Sequence, residues 1–113
     1  MGVCVWVKFT DTSEGAKALL DTGAGISLLP RRLYDVIAKS QQTELRQPDR
    51  RITGANSKAI QCFGVAEIGI NIEGQKFDHD FYVCEDAVTV LLGRKFMKEA
   101  KIQPEPAESS LPS

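Results

Sequence analysis

Three consecutive residues, Asp21, Thr22 and Gly23, are the strongest candidates for chemistry in this 113-residue chain. An aspartate carboxylate can take up or release a proton, and the threonine hydroxyl beside it can hydrogen-bond to a neighbouring loop. Glycine permits a tight turn and lets another backbone approach closely. A pair of leucines precedes the triplet and Ala24 follows it, so we expect the carboxylate on a loop at the end of an apolar strand.

A second distinctive segment lies near the other end of the chain. Val90 to Leu92 is a short apolar run that stops at Gly93-Arg94. The residues that follow place apolar side chains on one side of a predicted helix. The segment therefore predicts a short buried strand that turns sharply into a helix.

Together the two segments resemble the retroviral and retrotransposon aspartic proteases, the retropepsins. In that family a Leu-Leu-Asp-Thr-Gly-Ala loop is paired with a late segment of two aliphatic residues followed by Gly-Arg. The resemblance extends from Val3 to Ile102. Within the family, the sequence looks most like the protease of a long-terminal-repeat retrotransposon or a domesticated relative. The resemblance implies a protease domain over residues 1–102, in which Gly93 and Arg94 have structural roles. We expect residues 103–113, with their Pro, Ser and Glu, to be disordered.

The resemblance also implies a mechanism. Two carboxylates share one water molecule, so that one takes the proton of the water while the other donates a proton to the scissile carbonyl. The chain has one Asp-Thr-Gly triplet, so the second Asp21 must come from an identical chain related by two-fold symmetry. Thr22 would lock the two loops together across the axis. The implied protein is a C2 homodimer that cleaves an extended peptide or polyprotein without a cofactor.

Family members close a glycine-containing hairpin, the flap, over the substrate, and the matching segment here is centred on Thr53, Gly54 and Ala55. Such a lid excludes water and binds the peptide through main-chain hydrogen bonds. Further substrate-binding candidates line the site or its apolar pockets: Ala24, Gly25, Leu28, Ile52, Ile60, Thr89 and Leu91. For the apolar members of this set, a place in the core is the alternative interpretation.

One position departs from the family pattern. Many viral members carry an acidic residue directly after Asp-Thr-Gly-Ala, and it pairs with the arginine of the late Gly-Arg. Here that position is Gly25. We therefore expect Arg94 to pair with an acidic residue elsewhere in the chain or in the partner subunit.

Alternating and helical apolar patterns place these motifs on a mostly β domain. The predicted fold is a closed, barrel-like retropepsin fold with one or two short helices. Its expected strands are Val3–Phe9, Ala16–Leu20, Ile26–Leu29, Val65–Ile72, Lys76–Cys84 and Thr89–Leu92, with a hairpin over 52–60 and helices over Arg31–Lys39 and Arg94–Ala100.

Composition excludes several other classes of function. The formal net charge is -1, so nucleic-acid and anionic-membrane partners are not expected. No apolar run approaches the length of a membrane span, and the alternating N-terminus is not a secretory signal. The expected location is the cytoplasm or element-derived particles.

The ligands for a metal or redox site are also scarce. The three cysteines, Cys4, Cys62 and Cys84, are widely spaced, so we expect reduced and mostly buried thiols. The single histidine, His79, lies between two aspartates and is expected in a surface turn. No metal site is predicted.

Three features of the sequence allow interpretations other than a protease. The same fold could serve as a dimerisation or peptide-binding module with little cleavage. A dinucleotide loop at Gly23-Ala24-Gly25 would need a third glycine where the chain has Leu28. The basic cluster of Arg46, Arg50 and Arg51 is expected to be a solvated loop, with contact to substrate or nucleic acid as the minor alternative.

Overall fold

A computed structural model describes residues 3–21, 23–48, 61–85 and 89–101 of the protein. The elements of these residues are β1 Val3–Phe9, β2 Gly15–Leu20, β3 Ser27–Pro30, α1 Arg31–Gln41, β4 Cys62–Ile72, β5 Gln75–Cys84, β6 Val90–Leu92 and α2 Arg94–Ala100. Several predicted features lie outside the described residues, namely Thr22, the flap residues Thr53, Gly54 and Ala55, the pocket residues Ile52 and Ile60, and the tail 103–113.

The six strands close into a barrel in the order β1-β2-β6-β3-β5-β4, with β1 and β4 completing the circle. β2 and β6 pair in parallel, as do β3 and β5, and the remaining pairs are antiparallel. Among the strands of the described residues, each is paired with a neighbour on both sides, so closure protects the edges of the sheet. The prediction of a mostly β, closed barrel with one or two short helices is confirmed, and the described residues form two.

Alternation along each strand decides which side chains fill the barrel. In β1, Val7 and Phe9 are fully buried while Trp6 between its inward neighbours is 63% exposed. In β2, Ala18 and Leu20 point inward in the same way. Full burial of one of the larger apolar side chains stabilises the fold by roughly 1.5–3 kcal/mol. A shift of one residue would move these side chains to the solvent face, so the period-two pattern determines the register of the sheet.

The β4–β5 hairpin turns on two residues of positive φ. Glu73 has φ 52° and Gly74 has φ 87°, a combination that fits the right-handed twist of the flanking strands. The side chain of Asn71 accepts a hydrogen bond from the Gly74 amide at 2.9 Å. The predicted pairing of these two strands around Glu73-Gly74 is confirmed.

Each helix begins directly after a strand that carries candidate site residues: α1 follows β3, and α2 follows β6 and Gly93. α1 begins after Pro30, whose φ of −62° and missing N–H suit a helix start. It buries Ile37 and ends at Gln41, and the next residue, Gln42, is left-handed with φ 54°. α2 begins directly after Gly93 and buries Phe96 and Met97. Within the described ranges, neither helix has the length and apolar character that crossing a membrane requires.

Candidate active site

The loop that carries Asp21 is held by its own backbone and by a neighbouring strand. The Asp21 amide donates to the Leu92 carbonyl at 3.0 Å, which continues the β2–β6 ladder by one bond. The Gly23 amide donates to Oδ1 of Asp21 at 2.9 Å, and the Ala24 amide donates to the Asp21 carbonyl at 3.1 Å. The loop thus folds back on the carboxylate, which stays half-exposed at the end of β2.

The Gly93 backbone packs directly onto the far side of this loop. A Cβ at position 93 would lie 2.3 Å from the Ile26 carbonyl oxygen and 2.9 Å from that of Ala24. The next amide, of Arg94, donates to the Ala24 carbonyl at 2.6 Å. Only glycine fits so close an approach of two backbones, which explains why the Gly-Arg segment and the Asp-Thr-Gly loop belong together.

A side chain makes the third bond between the two segments. The Gly93 amide donates to Oγ of Ser27 at 3.1 Å, and Ser27 is only 1% exposed. With the bonds from Asp21 to Leu92 and from Arg94 to Ala24, the catalytic-loop candidate is held at both ends. Sequence reasoning missed Ser27, although a hydroxyl in an otherwise apolar strand signals a buried polar contact.

Arg94 stands beside the position where the sequence lacks an acidic residue. A Cβ on Gly25 would lie 3.5 Å from Nη2 of Arg94, an ordinary contact distance. A carboxylate at position 25 would therefore be within reach of this guanidinium. Gly25 itself is exposed, and Ala24 is half-exposed with both backbone groups bonded within the site.

An apolar row crosses the outer face of the sheet next to Asp21. The strand register places Leu19 beside Leu91 and Leu91 opposite Leu28, and all three are half-buried. Leu19 precedes Asp21 by two residues, so strand alternation puts both on the same side of β2. Leu19 was missed at the sequence level, although its period-two spacing from the aspartate could have indicated it.

Comparison with known proteins agrees with this geometry. No family model matches the sequence, and no curated protein matches it. Among solved structures, EIAV protease in complex with an inhibitor superposes with a TM-score of 0.68 at 16% identity, over 91% of this chain and 91% of that one. The retroviral protease-like domain of Ddi1 from Leishmania major superposes with a TM-score of 0.68 at 19% identity, over 89% of this chain and 78% of that one.

The chain has a retropepsin-like fold. In this fold the half-exposed carboxylate of Asp21 and the row of Leu19, Leu91 and Leu28 lie on one surface. Thr89 is exposed near its edge, and its hydroxyl donates to the Lys17 carbonyl at 2.9 Å. The hydroxyl of Thr89 is therefore already engaged within the fold.

The expectation that His79 lies in a surface turn is wrong. His79 is in β5 and only 6% exposed, because Asp78 and Asp80 take the outward positions of the alternating strand. Its Nδ1 lies 3.1 Å from Oε1 of Glu99, and its Nε2 lies 3.1 Å from Oγ of Ser27. Burial lowers the pKa of His79 below its ordinary value, and the neighbouring Glu99 carboxylate opposes this shift only in part.

The arrangement of Ser27, His79 and Glu99 superficially matches a Ser-His-acid triad. A nucleophilic serine must reach the substrate with its oxygen, but Ser27 is 1% exposed and its oxygen already accepts the Gly93 amide. We therefore assign no nucleophilic role to this serine in the retropepsin-like fold.

The cysteines differ in their exposure, contrary to the expectation that they are mostly buried. Cys84 is buried, Cys62 is half-exposed and Cys4 is exposed. Cys4 takes an outward position of β1 opposite Leu19, where strand alternation points it away from the barrel. Over the described residues, no group of three or more histidine, cysteine or acidic side chains is placed to hold a metal ion.

Proposed function

We propose that this chain is one subunit of a homodimeric aspartic endopeptidase with Asp21 as the catalytic carboxylate. The proposal rests on the half-exposed Asp21 loop of a retropepsin-like barrel. Backbone hydrogen bonds hold this loop, from Asp21 to Leu92 and from Arg94 to Ala24. Such pinning places a carboxylate reproducibly, as catalysis requires. A scaffold without chemistry has no need of a carboxylate held in this way at its surface.

In the proposed mechanism, two Asp21 side chains face one another across a two-fold axis and share a single proton. The ionised carboxylate takes a proton from a bound water, which attacks the scissile carbonyl, and the protonated one donates to the carbonyl oxygen. As the C–N bond breaks, the carboxyl that took the water proton donates it to the leaving amine nitrogen, and the other carboxylate takes back a proton from a hydroxyl of the tetrahedral intermediate, which restores the single shared proton. Thr22 and Gly23 act by holding the two loops together and by admitting the substrate backbone.

The proposed substrate is an extended peptide, as in a polyprotein. The row of Leu19, Leu91 and Leu28, together with Thr89, offers apolar pocket walls beside the carboxylate. Apolar side chains at the residues flanking the cleaved bond would be favoured, by about 1.5–3 kcal/mol for full burial of one large side chain. The proposed flap over Ile52 to Ile60 and the binding roles of Ala24 and Gly25 complete the site.

A peptide-library digestion at mildly acid pH tests this proposal. Wild-type protein should cleave peptides and be blocked by a pepstatin-type inhibitor, whereas Asp21→Asn should lose at least about 1000-fold in kcat/KM because the dyad can no longer take up the water proton. Asp11→Asn makes the same chemical change in an exposed turn of positive φ, which asparagine tolerates, and should keep full activity.

Equal activity of wild type and Asp21→Asn would overturn the mechanism. If neither protein cleaves but both bind peptides in a pull-down with the same library, the chain is instead a peptide-binding module of this fold.

A further inference from the structure

A chain of hydrogen bonds runs from helix α2 through the barrel wall to the candidate active-site loop. Glu99 of α2 contacts His79 of β5, His79 contacts Ser27 of β3, and Ser27 accepts the Gly93 amide, each step being 3.1 Å. Ser27 and His79 are 1% and 6% exposed, while the Glu99 side chain is 51% exposed. The chain therefore connects solvent at one end with the backbone that packs on Ala24 at the other.

The groups at the two ends of this series of hydrogen bonds, the Glu99 carboxylate and the Gly93 amide, determine which atoms donate and which accept. An ionised Glu99 carboxylate can only accept, so Nδ1 of His79 carries the hydrogen. Nε2 then has a lone pair and accepts the Ser27 hydroxyl hydrogen, which leaves the serine oxygen free to accept from Gly93. With neutral His79, every donor has an acceptor, and among the described residues no buried side-chain polar atom lacks a partner.

Protonation of His79 breaks this order. Both ring nitrogens become donors, so Nε2 would donate to the Ser27 oxygen and the serine hydroxyl would lose its acceptor. A buried hydroxyl left without an acceptor costs about 1–3 kcal/mol. The Ser27 side chain must then rotate or shift, and the Gly93 amide that depends on its oxygen shifts with it.

Burial among aromatic rings favours the neutral imidazole, although nearby carboxylates favour its protonation. The rings of Phe81 and Phe96 lie edge-on at centroid distances of 5.6 and 5.0 Å. From α2, Glu99 raises the pKa of His79 and Lys95 lowers it, and Asp80 on β5 raises it, but burial dominates. Asp80 is itself paired with Arg46 at 2.8 Å.

His79 and the charged groups Glu99, Lys95 and Asp80 border a cavity of about 420 Å³ on this side of the barrel. Glu67 of β4 and Asp78 of β5 also line it, so carboxylates from two strands and one helix border the same cavity as the histidine. Because His79 borders this cavity and the Glu99 end of the hydrogen-bond chain is exposed, we expect a proton to reach the ring without unfolding of the barrel.

We propose that His79 is a positioning residue that holds Gly93, and through it the Asp21 loop, only while its imidazole is neutral. This inference rests on the proposed protease function. Catalysis by the Asp21 pair needs one shared proton and so favours acid, whereas the Ser27–His79–Glu99 chain needs an unprotonated ring. The two requirements together limit activity to a range of pH. Protonation of His79 sets the lower limit of that range.

Because His79 is the single histidine of the chain, its ring can be titrated by NMR without ambiguity. We expect its carbon-bound ring protons and the Gly93 amide proton to shift with the same midpoint, below the ordinary histidine pKa. The acid limb of kcat should share this midpoint. At that pH wild type should have lost about half of its kcat with little change in KM, because the loop that is disturbed carries the carboxylate.

His79→Gln keeps one acceptor and one donor at similar positions but does not titrate. Its kcat at neutral pH should stay within a few-fold of wild type, and its acid limb should move to lower pH, set by the Asp21 pair alone. His79→Leu should lose kcat at every pH, because the Ser27 hydroxyl then has no acceptor. Activity in the glutamine variant together with its loss in the leucine variant separates positioning from bulk packing.

Glu99→Gln supplies an independent test. Loss of the carboxylate removes a group that raises the pKa of His79, so both the NMR midpoint and the acid limb should move to lower pH together. Glu73→Gln, an exposed residue in the β4–β5 turn, makes the same chemical change as a control and should move neither.

An acid limb that stays in place in His79→Gln and Glu99→Gln, while the NMR midpoint moves in the latter, would overturn the inference. So would a Gly93 amide signal that ignores the histidine titration in the wild-type protein. If no peptide is cleaved at any pH, the protease proposal fails, but the coupled NMR midpoints still decide whether His79 controls the loop.

Discussion

His79 is buried, and its ring contacts those of Phe81 and Phe96. Because of this burial, the free energy of unfolding depends on the protonation of His79 and therefore on pH. Its pKa in the folded state lies below the ordinary value of 6.5. The unfolded chain therefore binds more protons as the pH falls below that value, and the free energy of unfolding decreases. The stabilisation is fully present above the ordinary pKa and is lost as the pH falls through the folded-state pKa.

This sign predicts the behaviour of a non-titrating variant. Between pH 7 and pH 5 the melting temperature of wild type should fall more steeply than that of His79→Gln, because both proteins share all other titrations. Thermal unfolding followed by circular dichroism at several pH values measures the difference. Parallel curves for the two proteins would contradict the burial of this histidine.

Gly93 is the residue at which backbone packing leaves no room for a side chain. Gly93→Ala would place a Cβ 2.3 Å from the Ile26 carbonyl oxygen, so the two segments must separate. We expect a loss of about 1–3 kcal/mol in the free energy of unfolding and a larger proportional loss of kcat. Urea unfolding and peptide cleavage measure the two effects.

Gly25→Ala is the matched control, since its Cβ would make only an ordinary 3.5 Å contact with Arg94. It should unfold within about 0.5 kcal/mol of wild type, as surface substitutions usually do. Equal stability of the Gly93 and Gly25 variants would show that the loop adapts to an added methyl group.

At the scale of elements, the end of helix α1 is fastened to the sheet by one side chain. The side-chain Nε2 of Gln41 donates to the backbone carbonyls of Thr10 and Gly69, both at 2.9 Å. Its Oε1 accepts a hydrogen bond from the backbone amide of Gly69 at 2.8 Å. Gln41 thus pairs with Gly69 as a neighbouring strand would. This contact explains why α1 extends beyond the predicted end at Lys39.

Removal of that contact should loosen the helix from β4. Gln41→Ala leaves the Gly69 backbone groups without their side-chain partner, and we expect a loss of about 1–3 kcal/mol. Ser40→Ala, one residue earlier and exposed, should change stability little. Hydrogen exchange at the Gly69 amide gives a local measurement, and protection that is unchanged in Gln41→Ala would contradict the assignment.

At the scale of the whole molecule, the proposed enzyme is incomplete as a single chain. Each active site would need two Asp21 residues, so specific activity should fall on dilution as dimers dissociate. Sedimentation over the same concentrations measures the mass. Constant specific activity at a concentration where the protein sediments as a monomer would contradict the shared site.

Mixing experiments test the same point through exchange of subunits between dimers. In an equal mixture with Asp21→Asn, random pairing places about half of the wild-type chains in mixed dimers, and activity should fall to about half. The Asp11→Asn protein, mixed in the same ratio, should not reduce it. An additive result with Asp21→Asn would show that one chain forms a complete site.

Local patterns in the sequence determined the elements that carry the site. Alternation predicted β1, β4 and β5, the apolar run before Gly93 predicted β6, and the helical spacing after it predicted α2. These predictions succeeded because strand and helix periods depend on burial of one face, which neighbouring residues record. The two motifs indicated the retropepsin-like fold, and the register then placed Leu28 and Leu91 together on its outer face.

Only the tertiary structure decided which polar groups meet inside the barrel. Ser27, His79 and Glu99 come from β3, β5 and α2, and no spacing along the chain relates them. The closeness of Gly93 to Ile26 and of Arg94 to Gly25 also depends on how β6 turns into α2. Contacts between distant segments arise from closure of the sheet, so the sequence predicted the candidate catalytic loop while the folded barrel determined what holds it in place.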